Sequence, residues 1–317
     1  MLLTVAMPVF NNERFLAAAI ESVLGQSYRD FEFLVCDDGS SDRSLDIARR
    51  YAQADNRVRV LSHPNVGICN TMNDAIAHAR GEWIACMHGD DVMLPQRLER
   101  QLAFVQANPD VDLTSCLVHW IDDRDRVVGY SRCHLTTRQA VKQVIAEDGV
   151  LAFPHPGAMF RKSVVQAVGG YRQETFPVED VDLWNRIADA GYGVLVQPEV
   201  LLRYRVHANT SSMTKAKRVM RHLRWVEACI QARHAGKPEP TVEQFLQARR
   251  QAGLLRRIDD QRIDIGHAAY QNAINYYASS RYCRMAPSML TALLLRPGLF
   301  LPRLLARVTG HPPGKAA

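Results

Sequence analysis

Residues 31–54 read FEFLVCDDGSSDRSLDIARRYAQA. A short β-rich apolar run, 31–36, stops at a cluster of aspartate, glycine and serine, and apolar positions then recur at helical spacing over 42–54. Strand, polar turn and helix in that order form the repeating unit of a parallel sheet, whose strands need a helical crossover between them. Ser41 or Asp42 is the expected cap of this helix. The unit recurs on both sides. Upstream, 2–9 reads as a strand and 13–24 as a helix ending at Gly25. Downstream come a strand at 58–61, a helix at 68–79, a strand at 83–87, a helix from Pro95 to Asn108 and a strand at 111–118. The pattern then loosens into a hairpin turning at 122–125, a helix at 137–146, a short strand at 157–161, a helix at 181–190 and strands at 193–196 and 201–206. From about residue 212 everything reads as helix, broken near 236–240. The expected fold class is α/β: a Rossmann-like, mixed but mostly parallel sheet with flanking helices over 1–210, and a helical C-terminal region over 211–317.

Composition is that of an ordinary globular chain, 47% apolar and 23% charged, with no long tract of disorder-prone residues. The net charge of +6 is unevenly placed, about +14 over 201–317 and about −8 before it. A basic helical tail meets nucleic acid, anionic lipid or the acidic face of its own protein. Nucleic acid is the least expected, because the tail's Arg and Lys alternate with apolar helix positions rather than with an aromatic stacking surface. The stretch 285–308, MAPSMLTALLLRPGLFLPRLLARV, is broken by Arg296, Arg303, Arg307, Pro297 and Pro302. It suits lying on a bilayer, or packing on the protein's own core, better than spanning a membrane. Seven scattered cysteines have no C-x-x-C spacing and read as small apolar residues in a reducing compartment. MLLTVAMPVF runs straight into a strand without a basic start or cleavage site, so the expected location is the cytoplasm, including the cytoplasmic face of the membrane.

Open α/β sheets bind ligands beyond the carboxyl ends of their strands. Those positions here are Pro8-Val9-Phe10-Asn11-Asn12-Glu13, Asp37-Asp38-Gly39-Ser40-Ser41-Asp42 and His88-Gly89-Asp90-Asp91. No glycine-rich phosphate loop follows any strand, and carboxylates repel a diphosphate unless a cation lies between them. Asp90 and Asp91 are hard oxygen ligands suited to Mg²⁺ or Mn²⁺; the alternative is a strand end that caps the next helix. Asp38 either accepts hydrogen bonds from a base or ribose or serves an Asp-Gly turn, and Asp37 serves that turn too. Asp180, in the cluster Glu179, Asp180, Asp182, is either a helix cap or a general base. His207 is either a third metal or diphosphate ligand or a structural histidine.

Taken in order, these motifs, with Asn65-Val66-Gly67, Pro95, Leu183-Trp184 and Tyr204-Arg205-x-His207, resemble family 2 glycosyltransferases over residues 1 to about 210. The resemblance implies a glycosyltransferase-A fold and an inverting transferase that takes a sugar from a nucleotide-diphospho-sugar, usually a UDP-sugar, with Mn²⁺ or Mg²⁺. It carries Pro8, Phe10, Glu13, Asp38, Asn73 and Asp90 to the donor pocket, Asp91 with Asp90 and His207 to the metal, and Asp180 to the catalytic base. Two positions depart from the family pattern: His88 stands where an aspartate often begins the metal motif, and Met72 where an arginine often precedes the asparagine. The segments 155–161 and 209–217 are expected to shape the acceptor side. The expected acceptor is a saccharide or lipid-linked saccharide of a surface polysaccharide or lipopolysaccharide. The competing reading is a catalytically silent sugar-nucleotide or glycan-binding module of the same fold.

Overall fold

The computed structural model describes residues 3–131, 133–206, 216–278 and 282–298. Among them, one mixed sheet holds nine strands: β1 (Leu3–Val9), β2 (Phe31–Asp37), β3 (Val58–Ser62), β4 (Trp83–Cys86), β5 (Val92–Met93), β6 (Leu113–Ile121), β7 (Val127–Tyr130), β8 (Met159–Arg161) and β9 (Val194–Arg205). Their spatial order is β3-β2-β1-β4-β8-β6-β9-β5, with β7 paired to β6. The β3-β2-β1-β4 half is parallel, β6 and β9 are parallel, and β8 joins the two halves by antiparallel pairing to β4 and β6. The chain starts at β1, builds outward to β3 and returns to β4 on the other side of β1. That reversal opens a crevice beyond the carboxyl ends of β1 and β4, where the polar motifs lie.

β1 and β2 are buried almost along their whole length because helices cover both faces of the sheet, which is why they read as continuous apolar runs. The helices of this part are α1 (Leu16–Leu24), α2 (Ser44–Ala54), α3 (Ile68–His78), α4 (Arg97–Ala107), α5 (Arg138–Ala146), α6 (Lys162–Ala167) and α7 (Glu179–Asp189). α1 begins three residues later than expected, since Glu13 and its neighbours bond to the next strand's loop instead. Neither expected cap of α2 occupies the N-cap position, which is Arg43, but Asp42 Oδ1 accepts the Ser44 N–H at 2.9 Å. Thr137 caps α5 by accepting the Ala140 N–H.

The two strands expected at 193–196 and 201–206 are one, β9. Pro198 lies where the β6 register shifts, the kind of irregularity in which a strand tolerates proline. β5 was not foreseen: two residues directly after Asp91 pair with Leu202 and Arg203 of β9.

Four further helices follow: α8 (Ala216–His234), α9 (Val242–Gln251), α10 (Leu254–Ala278) and α11 (Tyr282–Leu295). Val226 and Ile230 of α8 form a second small core with Val178 and Val181 at the head of α7. Beside it Asp182, fully buried, pairs with Arg172 and with Arg186 (2.9 Å). Arg172 continues to Glu239 at 2.8 Å, and Arg233 ties Glu239 to Asp189 at 2.7 Å each. Arg224 and Arg249 pair with Asp260 and Asp264, so part of the tail's basic charge is matched within the tail. The expected boundary at 210/211 falls outside the described residues, as does 299–308 of the apolar stretch near the C-terminus. No helix among the described residues is long and apolar enough to cross a membrane.

Candidate functional site

The loops after β1 and β2 are fastened to each other residue by residue. Asn11 N–H donates to Ser40 Oγ (3.0 Å), Ser41 N–H to Asn11 Oδ1 (2.8 Å), Asn12 N–H to Ser44 Oγ (2.8 Å) and Glu13 N–H to Asp42 Oδ2 (3.0 Å). Glu13 Oε2 in turn accepts the Arg43 N–H at 3.1 Å. Asn11 takes φ 52°, a left-handed conformation that asparagine tolerates better than most residues. Pro8 ends up half-buried in β1, and Phe10 stands 49% exposed at the rim of the crevice.

Asp38 is 5% exposed, and its two carboxylate oxygens accept the N–H groups of Val66 (2.7 Å) and Gly67 (3.1 Å). Its carbonyl oxygen also accepts the Asn65 side-chain amide at 3.0 Å. Asp38 therefore anchors the 65–67 loop against the 38–42 loop. Gly39 has φ +71°, and a Cβ there would meet Asn65 N at 2.6 Å, so only glycine lets the loops close. Asp37 serves the turn as expected, accepting the Ser40 N–H at 3.3 Å.

The turn after β4 is held from several directions. Asp91 is 1% exposed; its Oδ1 accepts the Arg205 N–H at 2.7 Å, while its Oδ2 is buried with no hydrogen-bond partner among the described residues. Arg205, 2% exposed, donates through Nε to the Asp90 carbonyl (2.7 Å), through Nη1 to the Asp122 carbonyl (2.8 Å) and through Nη2 to Asp125 (2.6 Å). Its guanidinium also lies over the Phe15 ring, 4.4 Å from the centroid. Beneath the turn, the fully buried Arg97 donates to the carbonyls of Cys86 (2.9 Å) and Ala158 (3.3 Å) and to Gln101. Burial raises the Asp91 carboxyl well above its usual range and the charge of Asp90 raises it further, against the lowering effect of Arg205 and Arg97.

His88, Asp90 and Asp91 each offer a ligand atom within 4.8 Å of the others. Two carboxylates and an imidazole, with one carboxylate oxygen left without a hydrogen-bond partner among the described residues, form a donor set that fits a divalent cation. His88 Nε2 lies 2.8 Å from His155 Nδ1, and His155 Nε2 lies 2.8 Å from Tyr171 Oη. Burial holds the pKa of both histidines down and pushes the Tyr171 phenol well up.

Asp180 belongs to the first turn of α7 rather than to the N-cap position, which is Val178. Its Oδ1 accepts the Val181 N–H at 2.8 Å. Burial pushes its carboxyl up to about 6, and hydrogen bonds from backbone N–H groups oppose that shift. Asp180 and the Asp90–Asp91 turn converge on Tyr204 of β9. Burial and then the charges of Asp91, Asp90, Asp180 and Glu179 all raise the pKa of that half-buried phenol. Asp182, two residues on, points the other way into the Arg172–Arg186 pairing and has a structural task.

Asn73 does not reach toward these groups through a free amide: its Nδ2 donates to the Tyr171 carbonyl and its Oδ1 accepts the Tyr171 N–H, both at 2.9 Å. Met72 is fully buried in the core. His155, expected on the acceptor side, is 7% exposed and joined to His88. His207 and the segment 209–215 lie outside the described residues, and no side chain is described for 216 and 217. Sequence reasoning missed Arg97 and Tyr171, and it gave Arg205 and His155 no part beside the metal motif. Arg205 was within reach, since it stands in the quoted motif with Tyr204. Arg97 reads like any basic residue on a helix.

Residues 4–169 match the family described as glycosyl transferase family 2. A putative glycosyltransferase, EpsE, of Bacillus subtilis (strain 168) is 34% identical over 212 residues, covering 64% of this chain and 72% of that protein. The O-antigen biosynthesis glycosyltransferase WbnJ of Escherichia coli is 28% identical over 220 residues, 68% of this chain and 83% of its own. Among solved structures, S. aureus TarS 1-349 in complex with UDP superposes with a TM-score of 0.57 at 15% identity, covering 94% of this chain and 92% of that one. The mannosyltransferase PcManGT from Pyrobaculum calidifontis, in complex with GDP-Man and Mn²⁺, gives 0.56 at 18% identity, covering 94% and 79%. At such identities the likeness establishes the fold, which is of the glycosyltransferase-A type.

Proposed function

Since the chain belongs to glycosyl transferase family 2, we propose that it is a metal-dependent, inverting enzyme. On this reading it moves a hexosyl or N-acetylhexosaminyl group from a nucleotide-diphospho-sugar, a UDP-sugar first among them, to a hydroxyl of a saccharide or lipid-linked saccharide. The observation that carries this reading is the pair of unlike carboxylates whose charges both reach Tyr204: buried Asp91, with one oxygen that has no hydrogen-bond partner among the described residues, and half-buried Asp180, with a carboxyl raised to about 6.

Asp91 and Asp90, with His88 beside them and the His207 that the resemblance assigns, would hold Mn²⁺ or Mg²⁺, which when bound would supply Lewis-acid neutralisation of the departing diphosphate. Arg205 keeps that turn in place by bonding its backbone and the opposing hairpin together. Pro8, Phe10, Glu13 and Asp38 form the nucleotide side, a rim already fixed before any ligand enters. Asp180 accepts the acceptor's hydroxyl proton as the acceptor oxygen bonds to the anomeric carbon. The bond from that carbon to the phosphate oxygen breaks at the same time, and its electron pair leaves with the nucleoside diphosphate. Attack from the face opposite the leaving group inverts the anomeric configuration. A carboxyl titrating near 6 is ionised at neutral pH yet still basic enough to take that proton.

A lipid-linked acceptor at a membrane's cytoplasmic face also agrees with the exposed Leu254, Leu255 and Ile258 beside Arg256 and Arg257 at the start of α10. Each basic residue near anionic lipid contributes roughly 1 kcal/mol. The site suits assembly of a surface polysaccharide. The test is thermal stabilisation by UDP, GDP, dTDP and CMP, each with Mn²⁺ or chelator, followed by release of free diphosphate from the matching sugar nucleotide. Metal-dependent stabilisation by one nucleotide without any turnover would favour a silent binding module.

A further inference from the structure

The imidazole at the head of the metal motif is set apart by what stands behind it. His88 Nδ1 faces Asp91, 3.9 Å from the oxygen that has no hydrogen-bond partner, and Nε2 faces His155. His155 is buried and stacked between His88 (centroids 5.0 Å apart, planes at 29°) and Trp184 (5.9 Å, 20°), which fixes the plane of its ring. Its Nε2 reaches Tyr171 Oη, whose next neighbour is Cys86 Sγ at 4.0 Å. Tyr171 is itself held by the two bonds between its backbone and the Asn73 amide.

A chain of neutral rings can carry its protons in only two consistent ways. In one, Tyr171 O–H donates to His155 Nε2, His155 Nδ1–H donates to His88 Nε2, and His88 presents an N–H to Asp91. In the other, His88 Nε2–H donates to His155 Nδ1, His155 Nε2–H donates to Tyr171 Oη, and the Tyr171 hydroxyl turns to the Cys86 sulfur. His88 then presents the Nδ1 lone pair to the two carboxylates. We propose that His88 is a nitrogen ligand of the cation and that His155 and Tyr171 are positioning residues that hold it in the second arrangement. A partner that takes the distal N–H of a ligating histidine fixes its tautomer and the orientation of its ring.

The consequence is metal choice. Replacing one hard carboxylate by a neutral nitrogen lowers the charge offered to the cation and favours Mn²⁺ over Mg²⁺, which prefers an all-oxygen shell. The inference rests on the metal reading above, and the experiment separates the two. Mn²⁺ is titrated into the full-length protein with UDP or GDP present. Free Mn²⁺ is followed by electron paramagnetic resonance, nitrogen coupling to the bound ion by spin-echo modulation, and Mg²⁺ by competition.

In a His207→Ala background, which removes the other imidazole assigned to the metal, the protein is expected to show nitrogen modulation that disappears on His88→Asp, with a Mn²⁺/Mg²⁺ affinity ratio at least about tenfold smaller in the variant. His155→Phe keeps the stacked ring but removes the acceptor. It is expected to weaken Mn²⁺ binding by about 10- to 100-fold and to diminish the modulation, which mere loss of packing would not do selectively. Tyr171→Phe gives the same change at smaller size. Bound Mn²⁺ without nitrogen coupling, or coupling that persists on His88→Asp in that background, overturns the inference and leaves the metal site standing. No Mn²⁺ binding to wild type with either nucleotide removes both.

Discussion

The turn at Asp90–Asp91 and the head of α7 at Asp180 each bring a carboxylate whose charge reaches Tyr204, and they are built in opposite ways. Asp91 is fixed from a distance: one oxygen is held by an amide 114 residues away, and the surrounding backbone is tied down by the same arginine. The other oxygen is left over. The Asp180 carboxylate accepts its hydrogen bond from the next residue of its own helix. The first arrangement suits a ligand, whose position must not drift, and the second suits a base, which must gain and lose a proton without unfastening anything else.

The largest expected effect tests the rigid side. Asp91→Asn removes the charge at the metal turn with little change of shape, and is expected to lower transfer by about 10³-fold or more and to abolish Mn²⁺-dependent stabilisation by nucleotide. Retained metal-dependent stabilisation, read as a Tm shift, would break the comparison at its first member.

Asp180→Asn is expected to lower turnover by about 10²- to 10³-fold while that Tm shift survives. In wild type the base must be ionised, so the rate should fall about tenfold per pH unit below pH 6 and level off above it. Glu179, Tyr171, Tyr204, Cys86 and Cys69 share the electrostatic surroundings of Asp180, so the measured midpoint belongs to that group of residues. A flat rate profile between pH 5 and 8 would remove Asp180 as the base.

The foundation of α7 is separable from its chemistry. Asp182→Asn leaves Arg172 and Arg186 without their shared buried carboxylate and is expected to cost about 3 kcal/mol, a fall in Tm of roughly 5–10 °C. Activity per folded molecule should stay within a few-fold of wild type. A 10²-fold loss per folded molecule would merge the two roles.

A smaller effect has a sign that differs from ordinary acid denaturation. The folded-state pKa of Asp180 lies above the unfolded one, so the folded protein binds that proton more tightly and loses stability as pH rises from about 4 to about 6. Above pH 6 the ionisation penalty is fully present, up to about 3 kcal/mol. Asp180→Asn removes it and should be more stable than wild type by roughly 1–3 kcal/mol at pH 8, with less gain at pH 4, as read by urea midpoints. The smallest effect is at the outer rim. Arg43 is 81% exposed where it pairs with Glu13, and Arg43→Ala should change stability by under about 1 kcal/mol.

The strand ends were legible because buried parallel strands are apolar without interruption, so the first polar residues at their ends stand out: Asn11, Asp37 with Asp38, and His88 leading to Asp90 and Asp91. β5 was not, since two residues carry no periodicity and Val92–Met93 becomes a strand only by pairing with β9. The gap expected between 196 and 201, which holds Pro198, is bridged by a register shift against β6, more than 80 residues earlier, which the local sequence does not show. At the site, the expected ligands Asp90 and Asp91 and the carboxylate Asp180 were visible as residue types out of place. Arg97, Tyr171 and the contact of His155 with His88 were not: these roles come from burial and from partners brought in by the residue before β8, by α3 and by the 155–157 turn.

The bond between Asp91 and Arg205 also sets a timetable. A chain made at about 5–20 residues per second produces Arg205 roughly 6–23 seconds after Asp91. For that interval the emerging protein has most of its parallel sheet and the whole metal motif, but no clamp to shape it. The turn is clamped late in synthesis, once nearly all the sheet exists.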